Sequence, residues 1–573
     1  MSQQVSFTLD GAPVTVAAEP GESLLTVLRE RLGITAVKDG CAPQGQCGCC
    51  TVLVDGDARV ACVTPVARIA GRTITTVEGL DPGWRRDRAE ALLATGGSQC
   101  GFCTPGILVR AAAAETRGRC DREALARALV ANICRCTGWV GVLDGLCGAV
   151  PTDPDRDLDA AAARAHLEGG VPQRVDASVP LGAAAYADDA APRDALVAVL
   201  RPPGSDAPGE EVDGDCWILG PTLAAARAVA GTVQGRRTTV DDAPPLSVPE
   251  APTDGVRLAT GWVDAAYLEP DASWCEPGGE PASARGNGGG FGGRATSIAP
   301  GAARVLASRL GRPVRTVLSR EDVVRRSPKR APIAATARVE GDRVIVEGRC
   351  AAGGEAPLIA AAAATWPYAF VVDATWEPLA LVGPPVGTAL RAAGLAETAV
   401  LVEGALTAAG VDRLASLRDA RAASVLLDTC VANPEGALAG ARVAIDPATG
   451  RLEGVRVRVA AGDPLDEAVL RSYATGAAHM ALGWVLTEGL AVDPESGTPL
   501  DLTIRSLGVI RAKDTPPITV EIVDDAGPAR GRAGDAVFAA VAAATWDALL
   551  RAEGTRPATF PARDTRTARL LRR

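Results

Sequence analysis

Residues 38–50 read Lys38-Asp39-Gly40-Cys41-Ala42-Pro43-Gln44-Gly45-Gln46-Cys47-Gly48-Cys49-Cys50, four thiols and three glycines in one loop. Working outward from it, eleven of the fifteen cysteines lie before residue 150: these four and Cys62, Cys100, Cys103, Cys120, Cys134, Cys136 and Cys147. The N-terminus, MSQQVSFTLDG, lacks the charged start and apolar run of a secretory signal. The expected setting is therefore a reducing cytoplasm, where clustered thiols act as metal ligands rather than disulfides. Only two histidines exist, His166 and His479, which excludes a multi-histidine metal centre. The glycines suit a metal loop, because backbone N–H groups must come close to ligand sulfurs.

The flanks of the loop set its fold. Val5-Ser6-Phe7-Thr8-Leu9 alternates, Asp10-Gly11 turns and Val14-Thr15-Val16 returns, a hairpin. Ser23 caps a helix carrying Leu24, Leu25, Val27, Leu28 and Leu32. After the loop come a strand, Thr51 to Val54, the turn Asp55-Gly56 and Cys62. That order is a ferredoxin-like β-grasp. The plant-type [2Fe-2S] spacing, C-x4-C-x2-C with a distant fourth cysteine, is met by Cys41, Cys47, Cys50 and Cys62 with one extra residue in the first gap. Cys49 is spare on this reading, and the alternative in which it replaces Cys47 or Cys50 stays open.

The second set is helical. Asp81-Pro82 opens one helix, and Gln99-Cys100-Gly101-Phe102-Cys103 leads into another at Thr104-Pro105. Asp121 caps a third, Cys134-Arg135-Cys136 follows, and Thr137 is placed to cap a fourth. Cys100, Cys103, Cys134 and Cys136 can then converge as four thiolates on a second metal group. Zinc is the rival occupant of four thiolates, but it favours two C-x2-C knuckles over a C-x-C pair. Cys120 and Cys147 read as ordinary buried thiols.

The bulk numbers are those of a globular multi-domain chain: 573 residues, 47% hydrophobic and 22% charged. A net charge of -10 without a basic run excludes a general nucleic-acid or anionic-membrane partner. The most apolar stretch, Leu358 to Val372, is short and carries Pro367, so no membrane span is expected.

The strings GCAPQGQCGCCTVLVDG, QCGFCTPG and NICRCTGW resemble the iron–sulfur portion of the xanthine oxidase family of molybdenum hydroxylases (xanthine, aldehyde and carbon monoxide dehydrogenases) over the whole of residues 1–150. The resemblance implies two [2Fe-2S] clusters, the helical-domain one nearest the molybdenum, with Gln99 contacting a pterin cofactor. Downstream, PLGAAAYADDAAPRDALVAVLRPPGS is similar to the family's hammerhead-like domain, and Ala266 to Pro270 to the entry of the first molybdenum domain. The GGGFGGR string at Gly288 to Arg294 fits G-x-G-x-x-G, but no apolar strand precedes it, as a dinucleotide fingerprint needs. It is similar instead to the family's molybdenum-approaching glycine loop, which assigns Gly289, Gly290, Phe291 and Gly292 to cofactor binding.

Arg391, in Leu390-Arg391-Ala392-Ala393-Gly394, sits where the family has an arginine beside an aromatic at the substrate pocket; the aromatic is gone. The glutamine-bearing segment expected around Tyr473 to His479 is absent. Asp535, in Gly531-Arg532-Ala533-Gly534-Asp535, aligns with the family's catalytic glutamate. Two readings of it stand: a general base one methylene short, held low in pKa by Arg530 and Arg532, or a cap of the following helix. His479 reads first as a structural residue and second as a proton carrier.

The expected fold is multi-domain α+β: an N-terminal β-grasp ferredoxin-like domain (1–78), a four-helix [2Fe-2S] domain (79–150), a linker without a clear apolar face (151–172), a hammerhead-like α/β domain (173–254), and two shortened molybdenum-cofactor-binding α+β domains (255–420 and 421–573). The expected function is a molybdenum-cofactor and iron–sulfur dependent oxidoreductase hydroxylating an N-heterocycle or aldehyde. No flavin domain is apparent, so electrons are expected to leave to a flavoprotein subunit or another acceptor, and an oligomer is allowed. The rival is an iron–sulfur electron-transfer or scaffold subunit whose molybdenum domain is inactive.

Overall fold

In the computed structural model, residues 3–148, 153, 155–231 and 242–572 are described. The end of the expected helical domain (149–150) and parts of the expected linker (151–152 and 154) and hammerhead segment (232–241) lie outside them.

The N-terminal hairpin forms as its alternation dictates: Gln3–Leu9 pairs antiparallel with Ala12–Ala18, in register from Gln3–Ala18 to Leu9–Ala12. Thr73–Thr75 joins Gln3–Leu9 in parallel and leads to Thr51–Val54 and Asp57–Val60, completing a five-stranded sheet with the β-grasp order. Ser23 caps the helix, its hydroxyl accepting Thr26 N–H at 3.2 Å.

Four helices follow: Pro82–Ala94, Thr104–Glu115, Arg122–Ala128 and Val140–Cys147. Asp81 and Asp121 cap the first and third, each at 2.8 Å. Thr137 does not cap the fourth, which begins behind Trp139; its hydroxyl lies 3.1 Å from Cys134 Sγ instead. Cys120 and Cys147 are exposed, contrary to the buried reading, because both fall at helix ends facing solvent.

The expected linker carries a twelve-residue helix, Leu158–Gly169. Its apolar face is only Ala161 and Ala165, too small to register as a stripe, yet it packs on Val469 and Tyr473. Beyond it, Leu196–Leu200, Glu210–Val212 and Asp215–Gly220 share a five-stranded sheet with Ala272–Cys275 and Val314–Val317. A third five-stranded sheet runs Val371–Leu379, Arg343–Ala351, Ile333–Glu340, Gly255–Thr260, Thr559–Phe560, so Thr559–Phe560 returns to pair with residues 300 positions earlier. A four-stranded sheet is built from Thr429–Ala432, Leu438–Ile445, Leu452–Ala460 and Ile518–Ile522.

The main core lies between these last two sheets. Three buried helices fill it: Leu395–Ala408, Glu467–Leu486 and Ala533–Glu553. Alanine dominates their contact faces, so backbones approach closely, and the space that remains is plugged by Trp484, Trp546, Phe538 and Phe560 in mutual ring contact. Among the described residues, Ala533–Glu553 is the one helix long and apolar enough to cross a membrane, and it is buried in this core.

Candidate functional site

The thiols assemble as two groups. Around the loop, Cys41 touches both Cys47 and Cys62, and Cys62 touches Cys50, all four buried. The Cys47 and Cys62 thiols hold the Cys41 thiol low, helped by the N–H groups of Gln46 and Cys47, which Cys41 Sγ accepts at 3.3 and 3.2 Å; crowding and burial push Cys47 and Cys62 up. In the helical domain, Cys100 and Cys136 lie 3.4 Å apart and Cys103 pairs with Cys134. Contacts to Cys103 and Thr137 bring Cys134 down to about 6, while Cys136 is pushed up beside Cys100. Four buried thiols arranged as two pairs could supply two thiolates to each of two irons.

Cys49 touches Cys47 and lies within electrostatic reach of Cys41 and Cys50 on one side and of Cys100 and Cys103 on the other, between the groups. Cys49→Ala is therefore expected to leave iron at about four per chain; a loss of about two irons by colorimetric assay would make Cys49 a ligand. The two cysteine loops are stitched together by Ile133 N–H to Cys47 O (2.9 Å) and Asn132 Nδ2 to Gly48 O (3.2 Å).

The glycine string wraps against the second group. Gly289 has φ +76°, and a Cβ there would stand 2.9 Å from Cys100 Cβ and 3.0 Å from Cys100 Sγ. Arg294 closes the string, its guanidinium bound to Glu269 at 2.5 Å and to Ala284 O at 2.9 Å in a buried pair. On the open side is a cavity of about 100 Å³, whose lining includes Glu168, Gly289, Phe291, Arg391, Tyr473 and Asp535. Gly290 and Gly292 line it as well, whereas Gln99 does not. Gln99 Nε2 donates to Cys136 O (3.0 Å) and Ser472 Oγ (2.9 Å), fastening the second cysteine loop to the Glu467–Leu486 helix. Next to it, Arg135 grips Glu488 through two bonds of 2.5 and 2.8 Å, both side chains buried.

Arg391 is held by rings on two sides: its guanidinium carbon lies 5.0 Å from the Phe291 ring centre and 5.7 Å from that of Tyr473. The aromatic missing next to Arg391 in sequence thus comes from two other segments. Gln173, from the segment after Leu158–Gly169, accepts the Tyr473 hydroxyl at 2.8 Å but does not line the cavity.

Asp535 lies 3.6 Å from Arg391 Nε. The expectation that Arg530 and Arg532 hold it low is corrected. Arg530 turns to Asp525 (2.6 Å) and Arg532 to Glu435 (3.3 Å). Burial outweighs Arg391 and Arg532 and pushes the Asp535 carboxyl up. Nor does Asp535 cap the helix. Ala533–Glu553 begins two residues before it, and the leading N–H groups of Ala533 and Gly534 go to Glu168 at 3.1 and 2.9 Å. His479 is wholly buried, brought down to about 3 by burial and the nearby Arg135, and so stays neutral at physiological pH. It does not line the cavity.

Comparison with known proteins agrees with this layout. Residues 7–67 match the 2Fe-2S iron-sulfur cluster binding domain family and 76–146 the [2Fe-2S] binding domain family. Residues 282–344 and 388–516 match two families of molybdopterin cofactor-binding domain. The xanthine dehydrogenase iron-sulfur-binding subunit of Escherichia coli O157:H7 is 39% identical over 139 residues, 24% of this chain and 86% of that protein. The chain belongs to the xanthine oxidase family of molybdenum hydroxylases. The nicotinate dehydrogenase small FeS subunit of Eubacterium barkeri is 35% identical over 140 residues, 24% of this chain and 88% of its own. The crystal structure of the aldehyde oxidoreductase from Desulfovibrio desulfuricans superposes with a TM-score of 0.74 at 15% identity, covering 99% of this chain and 100% of that one, and so shares the fold. This member of the family is a molybdopterin- and [2Fe-2S]-dependent oxidoreductase, and its iron–sulfur portion is similar to proteins whose names make them subunits.

Proposed function

We propose that the Gly289–Asp535 cavity is the hydroxylation site and that its substrate is an N-heterocycle or aldehyde. The observation that carries this is the contact of Gly289 with Cys100: the wall of the cavity is also the wall of the second cysteine group, so the place of oxidation adjoins the electron exit.

The residues fit the cofactor. Among the described residues, Arg391 Nη1 is a buried donor without an acceptor, and it faces a loop of glycines and the first turn of the Ala533–Glu553 helix, both suited to an anionic, oxygen-rich group. Gly289, Gly290, Phe291 and Gly292 would hold it, with Gln99 fixing the cysteine loop behind. When bound, the molybdenum–pterin group supplies two-electron oxidation of an electron-poor carbon, and the [2Fe-2S] groups carry those electrons singly. Asp535 acts as general base, accepting a proton at its carboxylate, since its raised pKa makes it a stronger base than a free aspartate. Arg391, braced by Phe291 and Tyr473, orients the anionic partner and limits how far that pKa rises. Cys41, Cys47, Cys50 and Cys62 hold one cluster, and Cys100, Cys103, Cys134 and Cys136 the other. Electrons leave from the first to a flavoprotein subunit or comparable acceptor. The cytoplasm, where thiols stay reduced, is the compartment this needs.

The test is composition. Protein purified from cells able to make the cofactor is expected to carry about four irons with one molybdenum and one pterin per chain. Four irons with no molybdenum would overturn the proposal in favour of an electron-transfer subunit.

A further inference from the structure

We propose that Glu168, on the helix joining the iron–sulfur portion to the molybdenum portion, is the positioning residue for Asp535; this rests on Asp535 being the base.

The loop before the Ala533–Glu553 helix has no cap of its own. Arg532, at the cap position, has φ +47° and makes no side-chain bond to the first turn. Ordinarily the leading N–H groups of such a helix find a nearby serine, threonine or aspartate. Here the acceptor arrives from 365 residues away in sequence: Glu168 Oε1 takes Ala533 N–H at 3.1 Å and Oε2 takes Gly534 N–H at 2.9 Å. The preceding residue adds a third bond, Arg532 N–H to Leu167 O at 3.2 Å. Asn433 Nδ2 clamps the other side, donating to Gly531 O at 3.0 Å and Arg532 O at 2.8 Å. The turn that aims Asp535 is thus gripped by the end of the joining helix.

The grip requires a carboxylate. Both oxygens are used as acceptors, at the positive end of a 21-residue helix, where a negative charge is favoured. Glutamine, of the same shape, would turn an NH₂ toward one of the two N–H groups, donor against donor. Glu168 is in turn tied to Arg164, one turn back on the same helix, with both side chains fully buried. Among the described residues, Arg164 Nε and Nη1 have no hydrogen-bond partner, so the guanidinium's ion pair is the one with Glu168. The charged groups facing Asp535 are Arg391 and Arg532, which lower its pKa, and Glu168, which raises it.

Two readouts separate positioning from mere packing. In Glu168→Gln, amide hydrogen exchange over residues 532–538 of the full chain is expected to quicken about tenfold or more as the bonds to Ala533 and Gly534 fail. At the same time kcat/KM falls about 10–10²-fold through kcat, the size of effect a displacement near 1 Å brings. Loss of the neighbouring charge also moves the acid limb of the kcat/KM profile to lower pH. Because Glu168→Gln strands Arg164, the double variant Arg164→Gln/Glu168→Gln, which buries no net charge, is expected to give the same three changes with iron and molybdenum retained. Unchanged exchange in the folded double variant overturns the proposal, as does faster exchange with an unmoved pH limb and kcat, which would leave Glu168 a structural cap only. Failure of the underlying reading shows separately, as undiminished turnover in Asp535→Asn.

Discussion

Asp535→Asn is expected to lower kcat/KM by about 10²–10⁴-fold, the range a positioned general base supplies, while the iron content and the spectra of the reduced clusters stay as in the parent. Asp535 is half-buried in the cavity wall with Arg391 at 3.6 Å, and partial removal from water raises its pKa more than the two arginines lower it. The carboxylate must be ionised to accept a proton, so kcat/KM should fall as the pH drops through the raised folded pKa, above the ordinary range near 4 for a free aspartate. The sign for stability is opposite. A carboxyl whose pKa is raised on folding favours the native state fully only below its unfolded pKa and loses that contribution as pH rises through the folded one. Above the folded pKa the ionised Asp535 therefore costs stability, and there the neutral amide should match or exceed the parent in Tm. An inactive variant that melts higher is the pattern of a site whose strain serves chemistry. Full turnover in Asp535→Asn would remove Asp535 from the mechanism.

The cysteine groups and the β-grasp were legible because ligand chemistry ties residue type to spacing. Cys41 to Cys62 must bracket one strand pair, and Cys134-Arg135-Cys136 must fall between helices, so local sequence carries the answer. The cavity was only half legible. Gly289, Arg391 and Asp535 each lie in a recognisable string, but their electrostatics depend on where distant chains pass. Arg530 is five residues from Asp535 and was expected, with Arg532, to hold it low; in space it serves Asp525. Glu168 went unread for the same reason. An Arg–Glu pair four apart on an alanine-rich helix ordinarily marks a solvated face, and only the arrival of Val469 and Tyr473 on Ala161 and Ala165 buries that helix. The aromatic support of Arg391 shows the complementary case: Ala392 and Ala393 suggested a loss, whereas Phe291 and Tyr473 supply rings from two other segments.

Gly289→Val is expected to disconnect the site from its electron exit. The position combines two demands that only glycine meets: φ +76°, and a neighbour, Cys100, whose Cβ and Sγ would lie 2.9 and 3.0 Å from any added Cβ. An ordinary side chain in Cys100's place could rotate away. A thiolate bound to iron cannot without stretching its bond to the metal, so either the glycine loop retreats from the cavity or the ligand lets go. Loss of the second cluster would leave about two irons per chain and one electron-paramagnetic-resonance signal from the dithionite-reduced protein instead of two. Retreat of the loop would keep both signals and lose molybdenum. In either case steady-state turnover should fall more than about 10²-fold, since a displacement of about 1 Å at a reacting centre already costs that much. Gly301→Ala is the matching control. It lies inside the Ala299–Leu310 helix with open space around its Cβ, and there alanine should hold or slightly raise stability with iron and turnover unchanged. If Gly289→Val behaved like that control, the contact between the glycine loop and Cys100 would have no part in coupling oxidation to electron transfer.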